Sequence, residues 1–295
     1  MPRATAASGI EIEYETFGDP ADPALLLVMG LGAQLLSWDV QLCESLVDRG
    51  FFVIRFDNRD AGLSTKIEVD IDLMGSILKA MGGEVVEAPY HLSDMADDAM
   101  AVLDDLGLAT AHVVGASMGG MIAQTIAIRH RDRVQSLTSI MSTTGNTAVG
   151  QPTPEAMGIL LNPPGTTRDE IIASSVASSR LIGSPDHFDE AYALDKATRA
   201  YDRCYSPKGL ARQLLAIATS GDRTADLRQL DINALVIHGD VDPLVTLSGG
   251  EATAEAIDGS ELLILEGMGH DLPAYYWPQV IEAITALASR SAVGV

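Results

Sequence analysis

Cysteine, histidine, basic residues and long apolar runs are all scarce in this chain of 295 residues. Its two cysteines, Cys43 and Cys204, are too few and too isolated for a disulfide framework or a thiolate zinc site. Lys and Arg number 19 against 41 Asp and Glu, which leaves a formal net charge of -22. Such a surface repels phosphate backbones and anionic lipid heads, so neither nucleic acid nor a membrane is an expected partner. The apolar run at 24–29 is far below the roughly 20 residues that span a bilayer. Residues 1–9 carry one arginine and no apolar stretch. No secretory signal is therefore expected, and the cytoplasm is the expected location. What is plentiful is core-forming material. Hydrophobic residues make up 47% and charged residues 20%, enough for one large domain or two small ones by a length prior of about 150 residues each.

Punctuation by glycine and proline divides the chain. Residues 10–15 alternate apolar and polar side chains, as a half-buried antiparallel strand does. The runs at 24–29, 51–56, 111–114, 134–141, 233–238 and 261–265 read as buried strands. Helical patterns lie between them, at about 34–49, 94–106 with Ser93 as its cap, 118–130, 250–258 and 274–290. This alternation predicts a mostly parallel sheet with helices on both faces. Residues 146–229 break the rhythm. There Thr167-Arg168-Asp169-Glu170 fits a capping box, and Ser184-Pro185 and Ser206-Pro207 read as helix starts. Leu210, Leu214, Ile217 and Ala218 fall on one helical face. The expected organisation is a core of 1–145 and 230–295 with a helical cap at 146–229, placed where a lid over a site belongs.

The sharpest motif is Gly115-Ala116-Ser117-Met118-Gly119, G-x-S-x-G between a buried strand and a helix. In that context it is a nucleophile elbow, with Ser117 on the tight turn and Gly115 and Gly119 giving strand and helix room to pass. A serine nucleophile needs a base, and the chain has six histidines. His112 and His130 lie at the wrong end of a parallel sheet, and His91 and His187 lie in inserted segments. His270, in Gly267-Met268-Gly269-His270-Asp271 after the last strand, is favoured over His238, which ends a strand. The orienting carboxylate is expected in Gly239-Asp240-Val241-Asp242-Pro243, as Asp242 with Asp240 the alternative. A metal site built on His238, Asp240 and Asp242 lacks a second cluster to complete it, so no metal is expected. The oxyanion is assigned to the backbone amides of Met118 and of Leu31, in the Gly30-Leu31-Gly32 loop. That loop has neither the third glycine of a dinucleotide site nor the Lys-Ser/Thr of a P-loop, and no cofactor is expected.

Five segments together resemble the α/β-hydrolase superfamily: Met29-Gly30-Leu31-Gly32, Asp57-Asn58-Arg59-Asp60-Ala61-Gly62-Leu63-Ser64, the Ser117 pentapeptide, the Asp240–Asp242 turn and the His270 loop. The likeness is greatest to carboxylesterases of the aclacinomycin methylesterase type and to actinobacterial lipase/esterase-like proteins. It implies an α/β-hydrolase fold, a mostly parallel eight-stranded sheet flanked by helices, with a Ser–His–Asp triad under an inserted helical cap, acting on a small-molecule ester. Met29 stands where many relatives have histidine, which leaves the backbone donor in place. Met157, Tyr192 and Tyr201 are the expected pocket residues, with Arg203 a polar contact. Thioester, lactone or carbon–carbon hydrolysis and perhydrolysis can use the same triad, and a ligand receptor without turnover is the reading from another class.

Overall fold

Apolar residues that face helices on both sides set the middle of this molecule. A computed structural model describes residues 2–81, 84–161 and 165–291. The chain opens with β1 (Arg3–Thr5), β2 (Glu11–Phe17), β3 (Ala24–Val28), α1 (Val40–Val47) and β4 (Phe52–Phe56). It continues through α2 (Leu73–Met81), α3 (Leu92–Asp105), β5 (Ala111–Ala116), α4 (Met118–Arg129) and β6 (Val134–Ile140). The helices α5 (Pro154–Leu161), α6 (Arg168–Ile182), α7 (Glu190–Arg203), α8 (Pro207–Thr219) and α9 (Thr224–Leu227) follow before the sheet resumes. The last elements are β7 (Ala234–Gly239), α10 (Ser248–Ala256), β8 (Glu261–Leu265) and α11 (Trp277–Ser291).

Among the described residues one sheet of eight strands runs in the order β1-β2-β4-β3-β5-β6-β7-β8. The β1–β2 and β2–β4 pairings are antiparallel, and every pairing from β4 to β8 is parallel. Strand β3 is buried throughout, and its side chains divide between two cores. Leu26 and Val28 pack with α3 and α4, whereas Leu25 and Leu27 pack with α1 and α11. The alternation of side chains along a strand forces this split, and each fully buried leucine contributes about 2 kcal/mol of transfer free energy.

Several local expectations shift, each for an identifiable reason. The helix expected from residue 34 begins instead at Val40, after a single 3₁₀ turn at Leu35–Ser37. Asp57 Oδ1 accepts from the Leu35 amide at 2.7 Å, which ties that stretch to the neighbouring loop. Ser93 does not cap α3. The helix starts at Leu92, two residues earlier than expected, and Asp94 Oδ2 accepts from the His91 amide at 2.8 Å. Ser184 likewise turns away from its expected cap, donates to Asp271 Oδ1 and leaves only a 3₁₀ turn at Pro185–His187. Thr167 and Glu170 form the expected capping box of α6.

The largest difference is in α8, whose buried residues are Gly209, Arg212, Gln213, Leu215 and Ala216 rather than the set around Leu210. The cause lies beneath the helix, where Asp60 is 1% exposed. A buried carboxylate needs partners that replace its lost hydration, and Arg212 meets Asp60 with bonds of 2.7 and 2.8 Å. Helix α8 therefore turns Arg212 and Gln213 inward together with Leu215 and Ala216.

His112, on β5, is also buried, with Nδ1 at 2.8 Å from Ser136 Oγ. Burial pushes its pKa down from 6.5 to about 4, so the imidazole is neutral in the fold and charges more readily in the unfolded chain. The unfolded state then binds more protons as pH falls from about 6.5 towards 4, and roughly 3 kcal/mol of stability is lost across that window. Burial of His238 acts in the same direction. Melting temperatures measured against pH are expected to fall through this range, and His112→Asn is expected to flatten part of the decline. An unchanged slope in that variant overturns the assignment.

Candidate active site

Strand β5 and helix α4 meet at Ser117, where φ is 57° and ψ is -122°. This is a left-handed conformation that a non-glycine residue adopts only when its surroundings enforce it. The surroundings here are tight. A Cβ on Gly115 would fall 2.0 Å from the Gly119 carbonyl oxygen, and one on Gly119 would fall 2.0 Å from that of Val28. The Ser117 amide donates to the Ile140 carbonyl at 2.9 Å, and Ser142 Oγ donates to the Ser117 carbonyl at 2.8 Å. Neighbouring strand ends thus fix the turn that lifts the hydroxyl out of the sheet.

His270 Nε2 lies 2.9 Å from Ser117 Oγ, and its Nδ1 lies 2.7 Å from Asp242 Oδ2. A carboxylate only accepts, so Nδ1 carries the proton and Nε2 is free to accept from the hydroxyl. Asp242 is buried, and its other oxygen accepts from the amides of Leu244 and Val245 at 2.8 and 2.9 Å. Those bonds aim Oδ2 at the imidazole. The His270 amide donates to the Ile182 carbonyl at 2.6 Å, and the Gly269 amide donates to Ser184 Oγ at 3.0 Å. The segment after α6 thereby holds the histidine loop.

The alternatives are occupied elsewhere. Asp240 Oδ1 accepts from the Gly267 amide at 2.7 Å. His238 is fully buried, donates from Nε2 to the Val245 carbonyl at 2.7 Å, and lies 3.6 Å from Asp242. His91 faces Thr219, His130 faces Asp97, and His187 stacks on Tyr275. Among the described residues no group of three or more His, Cys, Asp or Glu converges as metal ligands.

The loop after β3 runs beside the serine, and a Cβ on Gly30 would sit 3.1 Å from Ser117 Cβ. Met118 is the first residue of α4, so its amide has no carbonyl partner within the helix. The loop is fastened at three backbone positions. Asn58 Nδ2 donates to the Met29 carbonyl at 2.8 Å, Gln213 Oε1 accepts from the Gly32 amide at 2.8 Å, and Asp57 accepts from the Leu35 amide. Arrangements of this kind suit attack on an acyl carbon, with two amides available for the oxygen that becomes charged.

An alpha/beta hydrolase fold family model matches residues 23–274. The chain belongs to that family. Among curated proteins, a rhodomycin D methylesterase from Streptomyces sp. (strain C5) is 29% identical over 97% of this chain and 98% of its own length. A 3-oxoadipate enol-lactonase from Acinetobacter baylyi is 26% identical over 88% of the chain and 86% of its own. By their names, both relatives hydrolyse ester bonds. Among solved structures, a meta-cleavage product hydrolase from Pseudomonas fluorescens IP01 superposes with a TM-score of 0.75 at 18% identity, covering 99% and 98% of the two chains. That likeness is one of α/β-hydrolase fold.

Other residues singled out in the sequence make contacts of their own. Tyr192 donates from its hydroxyl to Asp39 Oδ2, beside a cavity of about 320 Å³ also lined by Arg55, Asp195 and Arg199. Neither Ser117 nor His270 lines that cavity. Tyr201 stacks on Tyr205 with Arg168 over its ring, and Met157 is exposed. Arg203 is drawn away from solvent into bonds with Asp57 Oδ2 at 2.7 Å and Gln34 Oε1 at 2.8 Å. Reasoning from the sequence missed Gln34, Ser184, Gln213 and Asp271. Each is a polar residue whose partner is distant in the chain, so no local pattern shows that partner, and Ser184 reads locally only as a helix start. No described helix is long and apolar enough to cross a membrane.

Proposed function

We propose that this chain is a serine carboxylesterase working through an acyl-enzyme. One observation carries the reading: an unbroken hydrogen-bonded line from Ser117 Oγ through His270 to Asp242, with steps of 2.9 and 2.7 Å. Ser117 attacks the ester carbonyl carbon while His270 Nε2 takes its proton, and Asp242 stabilises the imidazolium that forms. The amides of Leu31 and Met118 hold the oxyanion. His270 then protonates the departing alcohol, and the same residues repeat the sequence with water to release the acid. A serine, rather than an aspartate, at position 117 favours acyl transfer over alkyl displacement.

The helical block at 146–229 serves as the lid, a role supported by its contacts with both the Gly32 loop and the His270 loop. A methyl ester of a small molecule is the favoured substrate class, on the strength of the methylesterase relatives. We place the enzyme in the cytoplasm, where free thiols such as Cys43 and Cys204 persist.

The test compares p-nitrophenyl acetate, butyrate and palmitate with methyl esters of aromatic carboxylic acids, following acid release. The expected result is turnover of the short p-nitrophenyl esters and of at least one methyl ester. A protein inert on all of them overturns the esterase reading and turns attention to carbon–carbon cleavage.

A further inference from the structure

Building on the esterase reading, we infer that Gln213, a residue of the inserted helical segment, is a positioning residue for the oxyanion loop. The Leu31 amide proposed to hold the oxyanion is flanked by Gly30 and Gly32, so little in the local sequence restrains it. Gly32 has a φ of 66°, a conformation that glycine visits freely and leaves freely. Its amide is secured by Gln213 Oε1 at 2.8 Å, while Gln213 Nε2 donates to the Arg59 carbonyl at 2.7 Å. The side-chain amide admits one orientation. Gly32 N–H only donates and the Arg59 carbonyl only accepts, so a flipped amide would oppose donor to donor and acceptor to acceptor.

Gln213 is fully buried, which strengthens both bonds relative to water and makes their loss costly. Fixing the peptide plane between Leu31 and Gly32 fixes ψ of Leu31, and the bond from Asn58 to the Met29 carbonyl fixes the other end. Between those two points the Leu31 N–H is presented to the carbonyl oxygen that becomes charged as Ser117 attacks. The helical segment thus does more than cover the site: through Gln213 it sets the donor geometry of the core.

Three variants separate positioning from bulk stability. Gln213→Met keeps the volume and loses both bonds. Its kcat is expected to fall about 10- to 100-fold, less than or similar to removal of an oxyanion donor itself, with KM within about threefold. Affinity for a trifluoromethyl ketone, which forms the tetrahedral adduct, is expected to fall by the same factor. Ser220→Ala removes the bond to the Leu92 amide at the other end of α8 and is expected to leave kcat and inhibitor affinity unchanged. Gln213→Glu supplies a carboxyl that, when protonated, accepts from Gly32 and donates to Arg59 as the amide does. Its kcat relative to the unaltered protein is expected to rise as pH falls from about 8 to about 6, because burial favours the neutral carboxyl. The Gln213→Met ratio should stay flat over that range.

An active enzyme whose Gln213→Met variant keeps kcat and inhibitor affinity within about twofold overturns the inference alone. A flat Gln213→Glu ratio does so even if Gln213→Met fails to fold. An unaltered protein inert to esters and to the ketone overturns the esterase reading and this inference together.

Discussion

Ser117→Ala is expected to lower kcat on p-nitrophenyl butyrate by about 10⁴-fold or more, with little change in thermal stability. The magnitude follows from the role. Without the hydroxyl no acyl-enzyme forms, and the remaining groups can offer only binding and oxyanion stabilisation, which in serine hydrolases leave about 10³–10⁴-fold over the reaction in water. Stability is spared because the change removes one oxygen from a residue whose backbone bonds, to Ile140 and from Ser142, are untouched. Stopped-flow measurement adds a second readout: the native protein should show a burst of nitrophenol and the variant none. Activity within about tenfold of native in the variant would remove the nucleophile assignment.

The second large effect distinguishes two acids in one turn. Asp242→Asn is expected to reduce kcat about 10⁴-fold, roughly 5.5 kcal/mol of activation free energy. An amide facing His270 Nδ1 stabilises the wrong tautomer and no longer stabilises an imidazolium. Asp240→Asn is expected to stay within about threefold, because an asparagine oxygen can still accept from the Gly267 amide. Measured side by side at the pH optimum of the native protein, equal losses in the two variants would contradict this assignment. His238 does not substitute as a base. Its Nε2 is committed to the Val245 carbonyl, and burial lowers its pKa.

How far the sequence was legible differs between elements for physical reasons. Strand β3 was readable because a five-residue apolar run buried on both faces has few alternatives. The Ser117 turn was readable because Gly115 is demanded by the approach of Gly119 within one strand–turn–helix unit. Helix α8 was misjudged in its facing, although its existence was evident. The periodicity of Leu210, Leu214 and Ile217 points one way, and the buried charge of Asp60 on a loop about 150 residues earlier overrides it. Arg203 follows the same logic, since the buried Asp57 carboxylate draws its Nη1 inward.

What the sequence alone determines here is the kind of chemistry and the order of the parts: a serine on a glycine-flanked turn, then an acid, then a histidine, in a frame of alternating strands and helices. Local sterics and hydrophobic period act over a few residues, and a sequence displays them directly. Tertiary structure decides which acid meets the histidine, which face of α8 turns inward, and that Gln213 meets the Gly32 amide. Those choices depend on buried polar groups finding partners far away in the chain. Desolvation makes an unpaired group so costly that the fold arranges helices to satisfy it, whatever their local pattern would prefer.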